Sequence, residues 1–204
     1  MKLFVIGATG GVGKEILKQA LEAGHEVTAY VRNASKVDIT HQLLHIVTGD
    51  GLDLDNLSHA VAGHDAVICT VGNNGMKPTT LMSDVVRNLI QAMKQQQVGK
   101  IVYCASAGIH KELPGVMGKM VMFMLKNPLA DHTRSYELLE KSGLEWTVVR
   151  PMGLTNEDKR GPYQKFAHLQ PPTSQKISRA AVAHFMLEAV TTEAYNQQSI
   201  GLSY

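Results

Sequence analysis

Residues 3–13 read Leu-Phe-Val-Ile-Gly-Ala-Thr-Gly-Gly-Val-Gly, an apolar strand running straight into glycines at 7, 10 and 13. An amphipathic helix follows at once: Ile16, Leu17, Ala20 and Leu21 form one apolar stripe, while Lys14, Glu15 and Lys18 face water. This order constrains the chain strongly. A glycine-rich turn between a strand and a helix presents bare backbone N–H groups at the positive end of a helix dipole, where a pyrophosphate can sit. Gly7 permits the tight turn, Gly10 lets backbone approach phosphate, and Gly13 lets the helix pack against the strand. Thr9, Gly11 and Val12 complete the loop. The spacing is G-x-x-G-x-x-G, a variant of the simplest dinucleotide fingerprint.

The remaining pattern repeats the same alternation. Short Val- and Ile-rich runs at 2–6, 26–31, 44–48, 66–71, 100–105 and 145–150 predict strands buried on both faces, with a short final strand at 199–202. Amphipathic stretches at 12–23, 54–62, 79–97, 129–142 and 178–191 predict the intervening helices, with Pro78 suited to a start and Gly24 and Gly143 to stops. The expected fold is therefore α/β: a single Rossmann-type, doubly wound parallel sheet with helices on both faces. At 204 residues, one domain spanning 1–204 is expected. Residues 153–177 carry three prolines and read as an irregular loop.

Composition removes several classes of function. A formal net charge of +2 is too small and dispersed for a nucleic-acid footprint. The longest apolar stretch, 120–125, is far shorter than the roughly 20 residues of a membrane span, so no membrane partner is expected. Cys69 and Cys104 fall inside predicted strands and read as small buried residues of a reducing compartment. With the first strand starting at residue 2 and no room for a signal peptide, a cytoplasmic protein is expected.

The second strand selects the cofactor. It ends Tyr30-Val31-Arg32-Asn33, and no carboxylate occurs from 27 to 37. An acid there would bind a free ribose 2′-hydroxyl, whereas a basic residue suits a 2′-phosphate. Arg32, followed by Ser35 and Lys36, points to NADP(H). Asp50, after the third strand, is suited to the adenine amine or to a turn. Val71 and Gly72 end the fourth strand at the expected crevice.

These motifs, together with 61–68, 78–83, Ala105-Ser106-Ala107, Asp131-His132-Thr133-Arg134 and Ile177-Ser178-Arg179, run through nearly the whole chain. In them the sequence resembles the atypical short-chain dehydrogenases/reductases. Within that group it resembles the NAD(P)-binding family containing biliverdin-IXβ reductase, also known as flavin reductase. The resemblance implies cofactor contacts at the 7–13 loop, Arg32, Ser35, Asp50, Val71, Gly72, Met82 and Arg87. It implies a substrate site between segments 106–132 and 150–177, with Ser106 and His132 as catalytic residues. His132 is expected to begin a helix there and to donate a hydrogen bond or a proton. Three positions depart from the family pattern. Met152 stands where a relative has histidine, Ala181 replaces an acid, and the segment before His132 is enlarged and methionine-rich, with Met117, Met120, Met122 and Met124. Met152 is suited to packing on a nicotinamide or flavin ring.

The chemistry is narrowed by what the chain lacks. Tyr136 is followed four residues later by Glu140, so the Tyr-x-x-x-Lys proton relay is missing and alcohol oxidation by general base catalysis is unsupported. No Gly-x-Ser-x-Gly elbow occurs. His41 and His45 find no acid or thiolate to complete a metal site, so no metal is expected. Hydride transfer from NADPH to a small conjugated acceptor (a flavin, quinone or linear tetrapyrrole) fits best. The competing reading is a non-enzymatic NADP(H)-sensing regulator resembling the NmrA type. Either would act as a monomer or small homo-oligomer.

Overall fold

The computed structural model describes residues 1–73, 75–111, 113, 115–166 and 174–204, the side chain of Met117 excepted. Strands β1 (Lys2–Ile6), β2 (Glu26–Val31), β3 (Leu44–Thr48), β4 (Ala66–Cys69), β5 (Lys100–Cys104), β6 (Glu145–Pro151), β8 (Gln164–Phe166) and β10 (Gln198–Ser203) form one sheet. Its order is β3-β2-β1-β4-β5-β6-β10-β8. Every pairing is parallel except that of the edge strand β8, which runs antiparallel to β10. The chain starts in the middle of the sheet, winds outward through β2 and β3, then returns across β1 to β4. This reversal opens a crevice beyond the carboxyl ends of β1 and β4.

Strand alternation divides the core into two layers. Leu3 and Val5 point to one face of β1 and pack with Ile16, Leu17 and Phe185 from α1 (Gly11–Glu22) and α6 (Arg179–Thr191). Phe4 and Ile6 point to the other face, with Leu57, Leu89 and Leu139 from α2 (Leu54–Val61), α3 (Leu81–Gln95) and α5 (Lys126–Glu140). Period-two alternation on a strand covered on both sides produces this arrangement. Phe4, Tyr103 and Phe185 are fully buried, and each such side chain contributes roughly 1.5–3 kcal/mol relative to exposure.

Two regions depart from the sequence expectation. The helix expected over 129–142 starts at Lys126 and is preceded by α4 (Gly115–Met124). Pro128 lies in the first turn of α5, where its missing N–H has no intrahelical partner to lose. The loop expected over 153–177 contains β8 and a small parallel pair, β7 (Gly153–Thr155) with β9 (Lys176–Ser178). Three-residue strands carry too little periodicity to be read from sequence. Residues 167–173 of that expected loop lie outside the described residues, as does the side chain of Met117. Among the described residues, no helix is long and apolar enough to cross a membrane.

Candidate active site

The turn after β1 is shaped by close backbone approach. Gly7 has φ +86°, and a Cβ there would lie 2.6 Å from the Thr70 carbonyl carbon. A Cβ on Gly13 would lie 2.3 Å from the Gly7 oxygen, so only glycine lets α1 sit this close to the turn. The Gly10 N–H donates to the Gly7 oxygen at 3.0 Å, and the Thr70 hydroxyl to the same oxygen at 3.1 Å. The α1 N-terminus has no side-chain cap and no acid in its first turn. Its free N–H groups are therefore left for an anion.

That turn opens into a cavity of about 900 Å³ running along the carboxyl ends of the strands. At one end, beyond β2, it is lined by Arg32 and Lys36, with Asp50 alongside. The Asp50 carboxylate accepts from the Leu52 N–H at 3.0 Å, and its carbonyl from the Tyr30 hydroxyl at 3.2 Å, which fixes the bend after β3. Tyr30 also explains Gly49, where a Cβ would fall 2.1 Å from the tyrosine oxygen.

At the far end, beyond β5 and β6, Ser106, His132 and Met152 line the cavity. Neighbouring strands lie about 4.8 Å apart, and β2 and β5 are three positions apart in the sheet, so Arg32 and Ser106 are separated by about 14 Å across it. The Ser106 hydroxyl donates to the Ala107 carbonyl at 3.1 Å. His132 Nδ1 is 2.7 Å from the Tyr103 hydroxyl. Burial lowers the His132 pKa to about 4, against the opposing charge of neighbouring Asp131. Burial raises Tyr103 well above the usual phenol range, so it stays protonated and can donate to Nδ1. In that arrangement the neutral imidazole keeps its proton on Nε2.

With its pKa that low, the His132 imidazole is neutral near pH 7. It also lies inside α5 instead of starting it. Tyr136 offers no substitute acid. Its hydroxyl donates to Glu140 at 2.9 Å, and burial together with that partner raises its pKa to about 12.

Twelve of the sequence-predicted residues line this one cavity: Gly7, Thr9, Gly10, Gly11, Val12, Arg32, Asp50, Val71, Gly72, Ser106, His132 and Met152. Four others do not. Gly13 lies beneath the turn, where it serves packing. The Ser35 hydroxyl donates to the Asn33 side chain at 2.8 Å, and Asn33 also caps the short 3-10 helix of 34–36, which projects Lys36 toward the cavity instead. The Met82 side chain is buried, and its N–H donates to Asp131 at 2.9 Å. Arg87 pairs with Asp84 one turn earlier at 2.5 Å.

Asp131 explains the last two. Its fully buried carboxylate crosses from α5 to the start of α3, where it accepts from the N–H groups of Met82 and Ser83 and from the Ser83 hydroxyl at 2.6 Å. Arg134 completes its partners at 3.1 Å. The α3 N-terminus is thereby satisfied from within the protein.

Arg179 is the principal residue that sequence reasoning passed over. It opens α6, reaches Asn156 at 2.6 Å, and lies across Gly11 so closely that a Cβ there would be 2.5 Å from its Nε. Its signal was the Ile177-Ser178-Arg179 run. Ser178 caps α6 through the Ala181 N–H at 2.9 Å, and this orients the arginine beside the glycine turn.

The arrangement fits a dinucleotide: a backbone cradle that side chains would fill, an uncapped helix start, and cations at one end of a long crevice. Comparison with known proteins agrees. A family model described as NAD(P)H-binding matches residues 7–193. An uncharacterised chloroplastic protein of Arabidopsis thaliana is 30% identical over 94% of this chain and 72% of its own length. The chain spans only 32% to 48% of three further curated relatives, among them TIC 62 of Pisum sativum. Among solved structures, a short-chain dehydrogenase/reductase of Veillonella parvula in complex with NADP superposes with a TM-score of 0.85 at 18% identity, covering 100% of this chain and 94% of the other. ChuY, an anaerobillin reductase of Escherichia coli O157:H7, superposes with a TM-score of 0.82 at 22% identity over 99% and 96% of the two chains. With the family match over residues 7–193 and this cradle, the chain belongs to the NAD(P)H-binding family, on a Rossmann-type fold.

Proposed function

We propose that this protein is an NADPH-dependent reductase that passes a hydride to a small conjugated acceptor held between segments 106–132 and 150–177. The observation that carries the reading is the continuity of one cavity from Arg32, beyond β2, to Ser106 and His132, beyond β5. Bound NADPH supplies the hydride there.

The chain's own residues divide the remaining work. The N–H groups of the 7–13 turn and Arg179 hold the pyrophosphate, while Arg32 and Lys36 face the 2′-phosphate. Met152 gives the far end an apolar thioether surface for a flat ring. The His132 imidazole, and Ser106 once its hydroxyl turns from the Ala107 carbonyl, offer hydrogen bonds to an acceptor's heteroatoms and orient it. Val121 and Leu125, from the methionine-rich α4 region, add apolar side chains to the site's lining. The proton that completes reduction comes from solvent, since His132 is neutral near pH 7 and the Tyr103 and Tyr136 hydroxyls are weaker acids than an ordinary phenol.

Anaerobic NADPH oxidation with FMN, a quinone and biliverdin-IXβ as acceptors, with NADH in parallel, tests the reading. Turnover with at least one acceptor and a preference for NADPH is expected. Tight NADPH binding with no turnover on any of them would replace it with the regulatory reading.

A further inference from the structure

The charges along the cavity are unevenly placed. Among the described residues, its cations are Arg32, Lys36 and Arg179, and all lie at the β2 end or against the glycine turn. Lys119 and Lys126, on and after α4, do not line it, and Lys126 stacks over the outward-facing Phe123 ring at 5.4 Å. Arg150 is buried against Ser199 and Phe166 and is also absent from the lining. The acceptor end is instead formed by Ser106, His132, Met152, Leu113, Val121 and Leu125.

Beside it lies an annex of about 200 Å³. It is lined by Asn73, Met76, Pro128 and Leu129, together with Ser106 and His132, and again holds no charged side chain among the described residues. The polar groups facing the acceptor are a hydroxyl, an amide and a neutral imidazole, which suit carbonyl oxygens. An anionic substituent placed there would lose its water and find no counter-charge, a costly transfer.

We infer that the acceptor is an uncharged quinone whose ring substituent enters the annex, and not an anionic flavin nucleotide or a propionate-bearing tetrapyrrole; this rests on the reductase reading above. The quinone takes up the hydride, two electrons and one proton, as the C4–H bond of the dihydronicotinamide breaks. A proton from water then completes the hydroquinone, and NADP+ remains. His132, and Ser106 once its hydroxyl turns from the Ala107 carbonyl, hold the two electron-rich oxygens as charge builds on them.

The test uses menadione and a sulfonated naphthoquinone of matched ring size and reduction potential. Two readouts are taken: kcat/KM for NADPH oxidation, and calorimetric binding of each oxidised quinone to the protein saturated with NADP+. Menadione should be preferred at least tenfold in both. Val121→Lys places a cation in the acceptor wall and should move that ratio at least tenfold toward the sulfonate. Leu154→Lys, at a half-exposed cavity position, serves if the first variant does not fold. Equal use of the two quinones, or FMN outperforming menadione, overturns the inference while leaving a reductase. If nothing is turned over, the reductase reading fails, and the binding ratio alone still decides whether the site rejects anions.

Discussion

At the scale of single residues, the site separates into side chains that meet a ligand and side chains that make room for one. On the proposed function, Arg32 belongs to the first kind. A charge-assisted hydrogen bond contributes about 1.5–3 kcal/mol, so Arg32→Ala should weaken NADPH binding tenfold or more and leave NADH nearly unchanged. Parallel titrations by fluorescence or calorimetry check this, and equal losses would show that Arg32 meets no phosphate. Gly13 belongs to the second kind. Gly13→Ala drives a methyl into the Gly7 oxygen and should cost about 1–3 kcal/mol of stability, read as a lower urea midpoint, together with lost cofactor affinity. That the 7–13 loop and Arg32 reach the cavity was legible in the sequence because each directly follows a strand with its own apolar pattern. Arg179 was not, because its partner Gly11 lies far away in the chain, and only the fold brings α6 to the start of α1.

At the scale of elements, Asp131 matters beyond its size. One buried carboxylate on α5 satisfies the first turn of α3, and the next residue is His132. Asp131→Ala leaves those α3 donors unpaired and should lower stability by about 3 kcal/mol or more. Chemical denaturation reads the loss, and hydrogen exchange should show faster exchange of the Met82 and Ser83 amides. An unchanged midpoint would mean that α3 finds another cap. The sequence pattern gave the existence of α3 and α5 correctly, since fifteen-residue amphipathic helices carry strong periodicity. It placed the start of α5 too late and missed α4. Pro128 reads as a boundary in sequence although a first turn accepts it, and α4 is apolar on too many sides to show a period. The resemblance brought Met82 and Arg87 forward as cofactor contacts; neither lines the cavity, and the acid that occupies the α3 start lies nearly fifty positions later.

At the scale of the whole molecule, stability should follow pH through His132. Its folded pKa, about 4, lies below the ordinary histidine value near 6.5. The unfolded chain therefore binds the proton more readily in that window, and acidification from pH 6.5 toward 4 favours unfolding. The loss attributable to this group is at most about 3 kcal/mol. His132→Gln, which keeps a polar side chain without titrating, should flatten the stability profile between those values in denaturation midpoints taken across the range. An unaltered slope would assign it to other groups. The pinning of α5 to α3 has a further consequence. One wall of the acceptor pocket is bolted into the folding core, so changes there are paid in stability. Another part of the wall is α4, whose Val116 and Phe123 face solvent at 84% and 73% exposure. Substitutions on that helix are free of the cap, so divergence among related chains in what they reduce should accumulate on α4 while α5 stays fixed.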